Sequence, residues 1–160
     1  MCMFSKRALS SLIAANLVTF FGVIFFGWSL SNIVFIYWAE IGVIGFYTAL
    51  KLLKVNYKSH LPKIAEFFLA YNVFLFGIGV VLMFAFTDSF NKNLLTSNLF
   101  AIASLFVSHG ISYYANYLKS KEYISLSVDD IIERATLRIL AMFFFASLIP
   151  FVVEFNDSTP

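Results

Sequence analysis

The residues able to do chemistry in this chain are few and widely spaced. Glu40 is the one formally charged residue between positions 8 and 50, and it stands inside Tyr37-Trp38-Ala39-Glu40-Ile41-Gly42-Val43-Ile44-Gly45-Phe46. A carboxylate in so apolar a run must turn to the protein interior, hold its proton or find a partner. Ionised, it accepts hydrogen bonds; protonated, it also donates one. His109 is the second candidate, followed by Asn16 and Asn72. A Glu, a His and two Asn could hold a proton, a cation or a small polar ligand. The plainer reading is packing: Asn and His across apolar helices serve as interhelical glue worth about 0.6 kcal/mol each. Tyr37 and Tyr47 share the helix face of Glu40.

Other chemistries lack their signatures. No glycine-rich phosphate loop and no His-Glu-x-x-His occur. No Gly-x-Ser-x-Gly marks an esterase nucleophile. Cys2 is the single cysteine, so no internal disulfide forms, and we read it as unmodified. His60 and His109 are the two histidines, too few for a His-rich metal site. No metal and no cofactor are expected. A net charge of +2 gives no reason to expect nucleic acid.

The elements that must position these residues are membrane helices. Of 160 residues, 61% are hydrophobic and 12% charged, and 21 are Phe. Soluble domains carry about twice that charged share, and one soluble core of this size could not hide so much apolar surface. The expected fold is an all-α polytopic transmembrane bundle, a single domain over 1–160, with a lipid bilayer as its first partner. A span needs roughly 20 apolar residues. Candidates run over about 9–26, 33–53, 64–86, 97–118 and 135–153. Lys6 and Arg7 precede an apolar run like those of signal peptides, but no Ala-x-Ala site closes it, so a retained first span is expected. Pro62 marks a helix restart, and Pro150 falls near the end of the fifth span, where a kink or early stop costs least.

With the N-terminus inside, Lys6, Arg7, Lys51, Lys54, Lys58, Lys63, Lys119, Lys121, Arg134 and Arg138 are all cytoplasmic. Of the eleven Lys and Arg, Lys92 alone lies outside. That asymmetry sets orientation and predicts five spans with the C-terminus out. The fifth is the most exposed to revision, because Arg134 and Arg138 must snorkel to the interface. Ser127-Val128-Asp129-Asp130 reads as an N-cap leading into that helix. At ~1.5 Å per residue, Glu40 lies ~13 Å and His109 ~18 Å below the outer helix ends, with Asn16 and Asn72 ~12 to 14 Å above the inner ends. All four fall in one layer near mid-membrane.

Trp38, Gly42, Gly45 and Ala49 form a stripe whose small residues admit a neighbouring backbone. Ser104, Ser108, Ser112 and Asn116 recur at every fourth position of the fourth span, a pattern for interhelical contact more than for a pore. Tyr113, Tyr114, Tyr117 and Tyr123 fit an aromatic belt at the cytoplasmic interface.

Tyr37-Trp38-x-Glu40 with Gly45 and Lys51, then Ser108-His109-Gly110-x-Ser112 with Asn116 and Glu122-Tyr123, and Arg138-Ile139 at the last span, resemble an uncharacterised prokaryotic multi-pass membrane family known only as a domain of unknown function. The resemblance spans most of the chain. It implies an inner-membrane location and points to Glu40, His109 and Asn116, but brings no activity. It also implies further histidines in the third and last spans, where this chain has Tyr71, Asn72 and Phe143.

Three functions follow as expectations. The first is proton-coupled or small-ligand transport around Glu40 and His109, in a homo-oligomer or with a membrane partner. The second is a structural or accessory subunit whose polar layer fixes helix packing. The third, an intramembrane acid/base enzyme, has no nucleophile to support it.

Overall fold

The computed structural model describes residues 30–55, 58–85 and 92–157, with side chains over 31–55, 59–84 and 98–144. The span expected at 9–26, with Asn16, and Cys2 lie outside the described residues. Helix α1 covers Leu30–Leu52, a 3-10 turn covers Lys58–His60, and α2 covers Leu61–Ala85. Helix α3 covers Lys92–Ser112 and continues as a π-helical segment over Tyr113–Leu118. A 3-10 turn at Glu122–Ile124 leads to α4 over Val128–Asp157. Among the described residues there is no strand, and the all-α expectation holds. These helices overlie the second to fifth predicted segments, but α3 starts at Lys92 rather than 97 and α4 at Val128 rather than 135. Two of them, over Ser31–Leu52 and Leu61–Phe84, are long and apolar enough to cross a membrane by length and composition.

Local chemistry explains the ends. Pro62 sits in the first turn of α2, where its missing N–H has no intrahelical acceptor. Ser127 caps α4 reciprocally: Asp130 N–H donates to Ser127 Oγ at 3.1 Å, while Ser127 N–H and Oγ–H donate to Asp130 Oδ2 at 2.9 and 2.6 Å. These bonds satisfy donors that the helix leaves open. The Ser127 hydroxyl, then its backbone N–H, hold the Asp130 carboxyl below its usual range. Lys63 at the start of α2 meets Asp129 at the start of α4 at 2.6 Å, in the open. Helix α4 runs through Pro150 to Asp157, a few residues beyond the expected end at 153. A proline removes one intrahelical hydrogen bond, and the bonds on either side carry the helix past it.

Helix α1 is the hub. It packs against α2, α3 and α4, most extensively against α4 and α3. Among the described side chains of α1, Phe46 is the one exposed large apolar residue, and the rest are buried or half-buried. One core cluster joins Ile41 and Ile44 of α1 to Tyr71 of α2 and to Ile139 and Met142 of α4. A second, towards the C-terminal end of α1, joins Leu52, Tyr117, Val128 and Ile131. The outer faces are apolar too. Leu69, Val73, Phe76, Val80 and Phe84 are exposed along one face of α2. Phe100, Val107, Ile111 and Tyr114 do the same on α3 and its continuation, and Leu137, Leu140 and Phe144 on α4.

Candidate functional site

Glu40 is buried, at 7% exposure, in the middle of α1. Its Oε1 lies 3.5 Å from His109 Nε2 on α3. That is a close contact rather than a tight hydrogen bond, and a shift of roughly half an ångström would bring it into good hydrogen-bonding range. Arg138 of α4 is near enough for the charge of Glu40 to act on it. A buried carboxylate and a half-buried imidazole from two helices therefore meet, within range of the charge of Arg138 on a third. Charges interact more strongly there than at a wet surface.

Tyr47 fixes the imidazole. Its ring stacks on His109 with centroids 6.1 Å apart and 19° between planes. Its hydroxyl donates to the carbonyl of Phe106 at 2.8 Å. A Cβ at Gly110 would stand 2.7 Å from that hydroxyl. The glycine beside His109 is thus what lets Tyr47 reach over α3. Sequence reading placed Tyr47 on the face of Glu40 but missed this role. The signal available was the Gly next to the His.

Below the pair, rings continue in a stack. Tyr47 meets Tyr113 at 5.7 Å, Tyr113 meets Tyr117 at 5.6 Å and Tyr117 meets Tyr123 at 6.0 Å between centroids. Tyr113 Oη donates to the Leu50 carbonyl at 3.5 Å and Tyr117 Oη to the Lys51 carbonyl at 2.7 Å. Those carbonyls belong to the last turn of α1, where intrahelical N–H partners run out, and the Lys51 carbonyl also accepts the Lys54 N–H at 3.1 Å. Successive fourth positions on an α-helix drift by ~40°. The π turn rotates less per residue, so His109, Tyr113 and Tyr117 all stay on the α1 side. Only Tyr114, 64% exposed, sits as a belt residue would, whereas Tyr117 is buried. The phenol's polar tip explains the difference, because it caps a helix end while its ring fills the core.

The remaining predicted residues are placed as follows. Trp38 donates Nε1–H to the Leu75 carbonyl at 2.9 Å and packs on Gly79. Tyr37 packs against the Ile41 cluster. Tyr71 sits over Gly45 and donates its hydroxyl to the Ile41 carbonyl at 2.7 Å. Ala49 is half-buried. Among the described residues, a Cβ at Gly42 would meet nothing within 4 Å, unlike one at Gly45. The α2 backbone does not approach that position. Asn72 is exposed and turns its amide back to the Phe68 carbonyl at 2.7 Å. Asn116 is exposed and donates to Ser112 Oγ at 3.2 Å, and Ser104 donates to the Ala101 carbonyl. Ser108 is exposed. The hydrogen bonds described for this serine stripe stay within its own helix. The side of α3 that meets α1 is instead the neighbouring line through Asn98, Ala101, His109, Tyr113 and Tyr117. Asn98, fully buried, donates to Asn32 Oδ1 at 3.0 Å. Sequence reading missed that pair because Asn32 lies among turn-forming residues.

The contact of Glu40 with His109 can bind one proton more or less, or trade a proton for a small cation. Among the described residues no three of His, Cys, Asp and Glu converge as metal ligands would. An open apolar groove of about 550 Å³ is lined by Tyr47, Phe106, Gly110, Tyr114 and neighbours, but by neither Glu40 nor His109.

No curated protein and no solved structure matches the chain. The model of a family described as Family of unknown function (DUF6498) matches residues 3–159, so the chain belongs to that family.

Proposed function

We propose that this chain is a multi-pass membrane protein of the cell membrane, with five spans and the N-terminus inside, whose Glu40–His109 pair is a proton-binding site serving proton-coupled passage of a proton, cation or small polar ligand. The observation that carries the reading is the 3.5 Å contact between a buried carboxylate and a half-buried imidazole from different helices. An ionisable group in a span is costly, and one facing a partner inside the bundle is a functional candidate by default. The charge asymmetry of the loops supports the topology. The apolar outer faces of α2, α3 and α4 support a lipid surround, since water would solvate them poorly.

The test is proton flux in proteoliposomes under an imposed pH gradient. Wild type should dissipate the gradient, and Glu40→Gln and His109→Gln should each lose most of that flux while keeping the fold. A double-mutant cycle on thermal stability should return a coupling of at least ~0.5 kcal/mol, as residues in contact do. Flux unchanged in Glu40→Gln would overturn the reading.

The alternative is an accessory subunit in which the same residues only fix packing. It is favoured by one specific observation: the groove is lined by Tyr47 but not by Glu40 or His109. On that reading both variants lose stability, wild type shows no flux, and the chain copurifies with a membrane partner.

A further inference from the structure

Four residues far apart in sequence, Lys51, Glu122, Arg134 and Arg138, gather at the C-terminal end of α1. Arg134 and Arg138 lie one turn apart on α4. Arg134 Nη1 donates to Glu122 Oε1 at 2.8 Å. That bond engages Glu122; the other carboxylate whose charge reaches Arg138 is Glu40, which faces His109. Lys51 is held from two sides: its carbonyl accepts the Tyr117 hydroxyl at 2.7 Å, and its Nζ stands 5.6 Å from the centroid of the same ring. Arg138, Arg134 and Glu122 are near enough for their charges to act on it. Lys51 and Arg138 are both half-buried. Among the described residues, neither forms an ion pair within 4 Å.

The electrostatics of this arrangement are unfavourable as it stands. Two cations share a partly desolvated place, Glu122 already belongs to Arg134, and Glu40 faces His109. Partial burial strengthens their repulsion, and buried charge is ordinarily paired. An anion would relieve both. The charge excess suits a phosphate group, and the guanidinium fork of Arg138 matches its oxygens in pairs. The ring of Tyr117 holds the ammonium in place, so little side-chain freedom is lost on binding.

We propose that Lys51 and Arg138, backed by Arg134 and Tyr117, form a binding site for a phosphate-bearing anion at the end of α1. In the orientation proposed above this is the cytoplasmic edge of the bilayer, where the phosphate of an anionic phospholipid and soluble phosphate both have access. The site feels the charge of Glu40 through Arg138 but does not need the Glu40–His109 pair to conduct protons.

The experiment uses the full chain in a neutral detergent. Native mass spectrometry reads retention of phosphatidylglycerol, and thermal shift at constant ionic strength reads binding of inorganic phosphate against chloride. Wild type should bind at least one of the two. Lys51→Gln and Arg138→Gln should each weaken that binding by about tenfold, as loss of a charge-assisted hydrogen bond does. Lys54→Gln, which removes an exposed cation nearby, should stay within about twofold of wild type. Lipid binding alone or phosphate binding alone supports the site and names its source. If wild type binds neither probe, or if Lys54→Gln weakens binding as much as the other two, the site is refuted. Should Lys51→Gln and Arg138→Gln fail to fold, wild type and Arg138→Lys decide. The lysine keeps the charge but loses the fork, so its binding must fall below wild type, and equality with wild type overturns the assignment.

Discussion

Gly42 and Gly45 lie about one turn apart on α1 in opposite circumstances. A Cβ on Gly45 would run into the phenol of Tyr71, with Cε1 only 2.7 Å away. That phenol cannot simply swing aside, because it is buried and its hydroxyl is bonded to the Ile41 carbonyl. Overpacking of this kind costs roughly 1–3 kcal/mol. The better helix propensity of alanine returns about 1 kcal/mol of that. Gly45→Ala should therefore lower thermal stability in detergent. Gly42→Ala has open space and should be neutral or stabilising. Replacing Tyr71 with Phe in the Gly45→Ala background should recover part of the loss. Sequence alone treats the two glycines as one stripe, since both recur at helical spacing. Which of them a ring from α2 covers is a fact of packing, and spacing on α1 does not contain it. Glu40 and His109 differ in this respect. Their depth along separate apolar runs was readable by arithmetic, and depth was enough to bring them level.

At the scale of the element, the start of α4 is the feature most dependent on local chemistry. Ser127→Ala removes both the hydroxyl that Asp130 N–H donates to and one donor to Asp130, and N-cap losses of this kind cost about 1 kcal/mol. The pH dependence has a definite sign. The Asp130 carboxyl is held below its ordinary value of 3.8 by Ser127. Its contribution is therefore present above that value and lost as pH falls through the lower folded-state value. The stability gap between wild type and Ser127→Ala should be full at neutral pH and narrow only below pH 3.8. Thermal unfolding at a series of acidic pH values checks this. The capping pattern was legible because it is written in four consecutive residues. The π turn at Tyr113–Leu118 was not, because nothing in Tyr-Tyr-Ala-Asn-Tyr-Leu distinguishes it from an α turn. It exists to keep Tyr113 and Tyr117 against α1, a demand set by the neighbouring helix. The same blindness assigned those tyrosines to an interfacial belt, since an aromatic near a helix end looks alike whether it meets lipid or caps a carbonyl.

For the whole molecule, the arrangement places the hub helix and its carboxylate inside three others, with apolar side chains outward. The five-span topology makes a direct prediction. Single cysteines in a background lacking Cys2 should be blocked by a membrane-impermeant thiol reagent from the outer face at Asn91 and Ser158, and not at Ser59 or Ser120. Labelling of Ser158 from the inner face only would remove the fifth span and put the C-terminus inside. Apolar length, charge asymmetry and the all-α class are properties of summed composition, which is why they could be read before any contact was known. Pairings such as Asn98 with Asn32 depend on which helices meet. The tyrosine stack has one more consequence. Four phenols, carried by α1, the π segment and the following 3-10 turn, stand with successive centroids 5.6 to 6.0 Å apart. Rings at such spacing couple their electronic transitions. The chain therefore carries an intrinsic near-ultraviolet circular-dichroism reporter of the registry between α1 and α3, one that needs no attached dye.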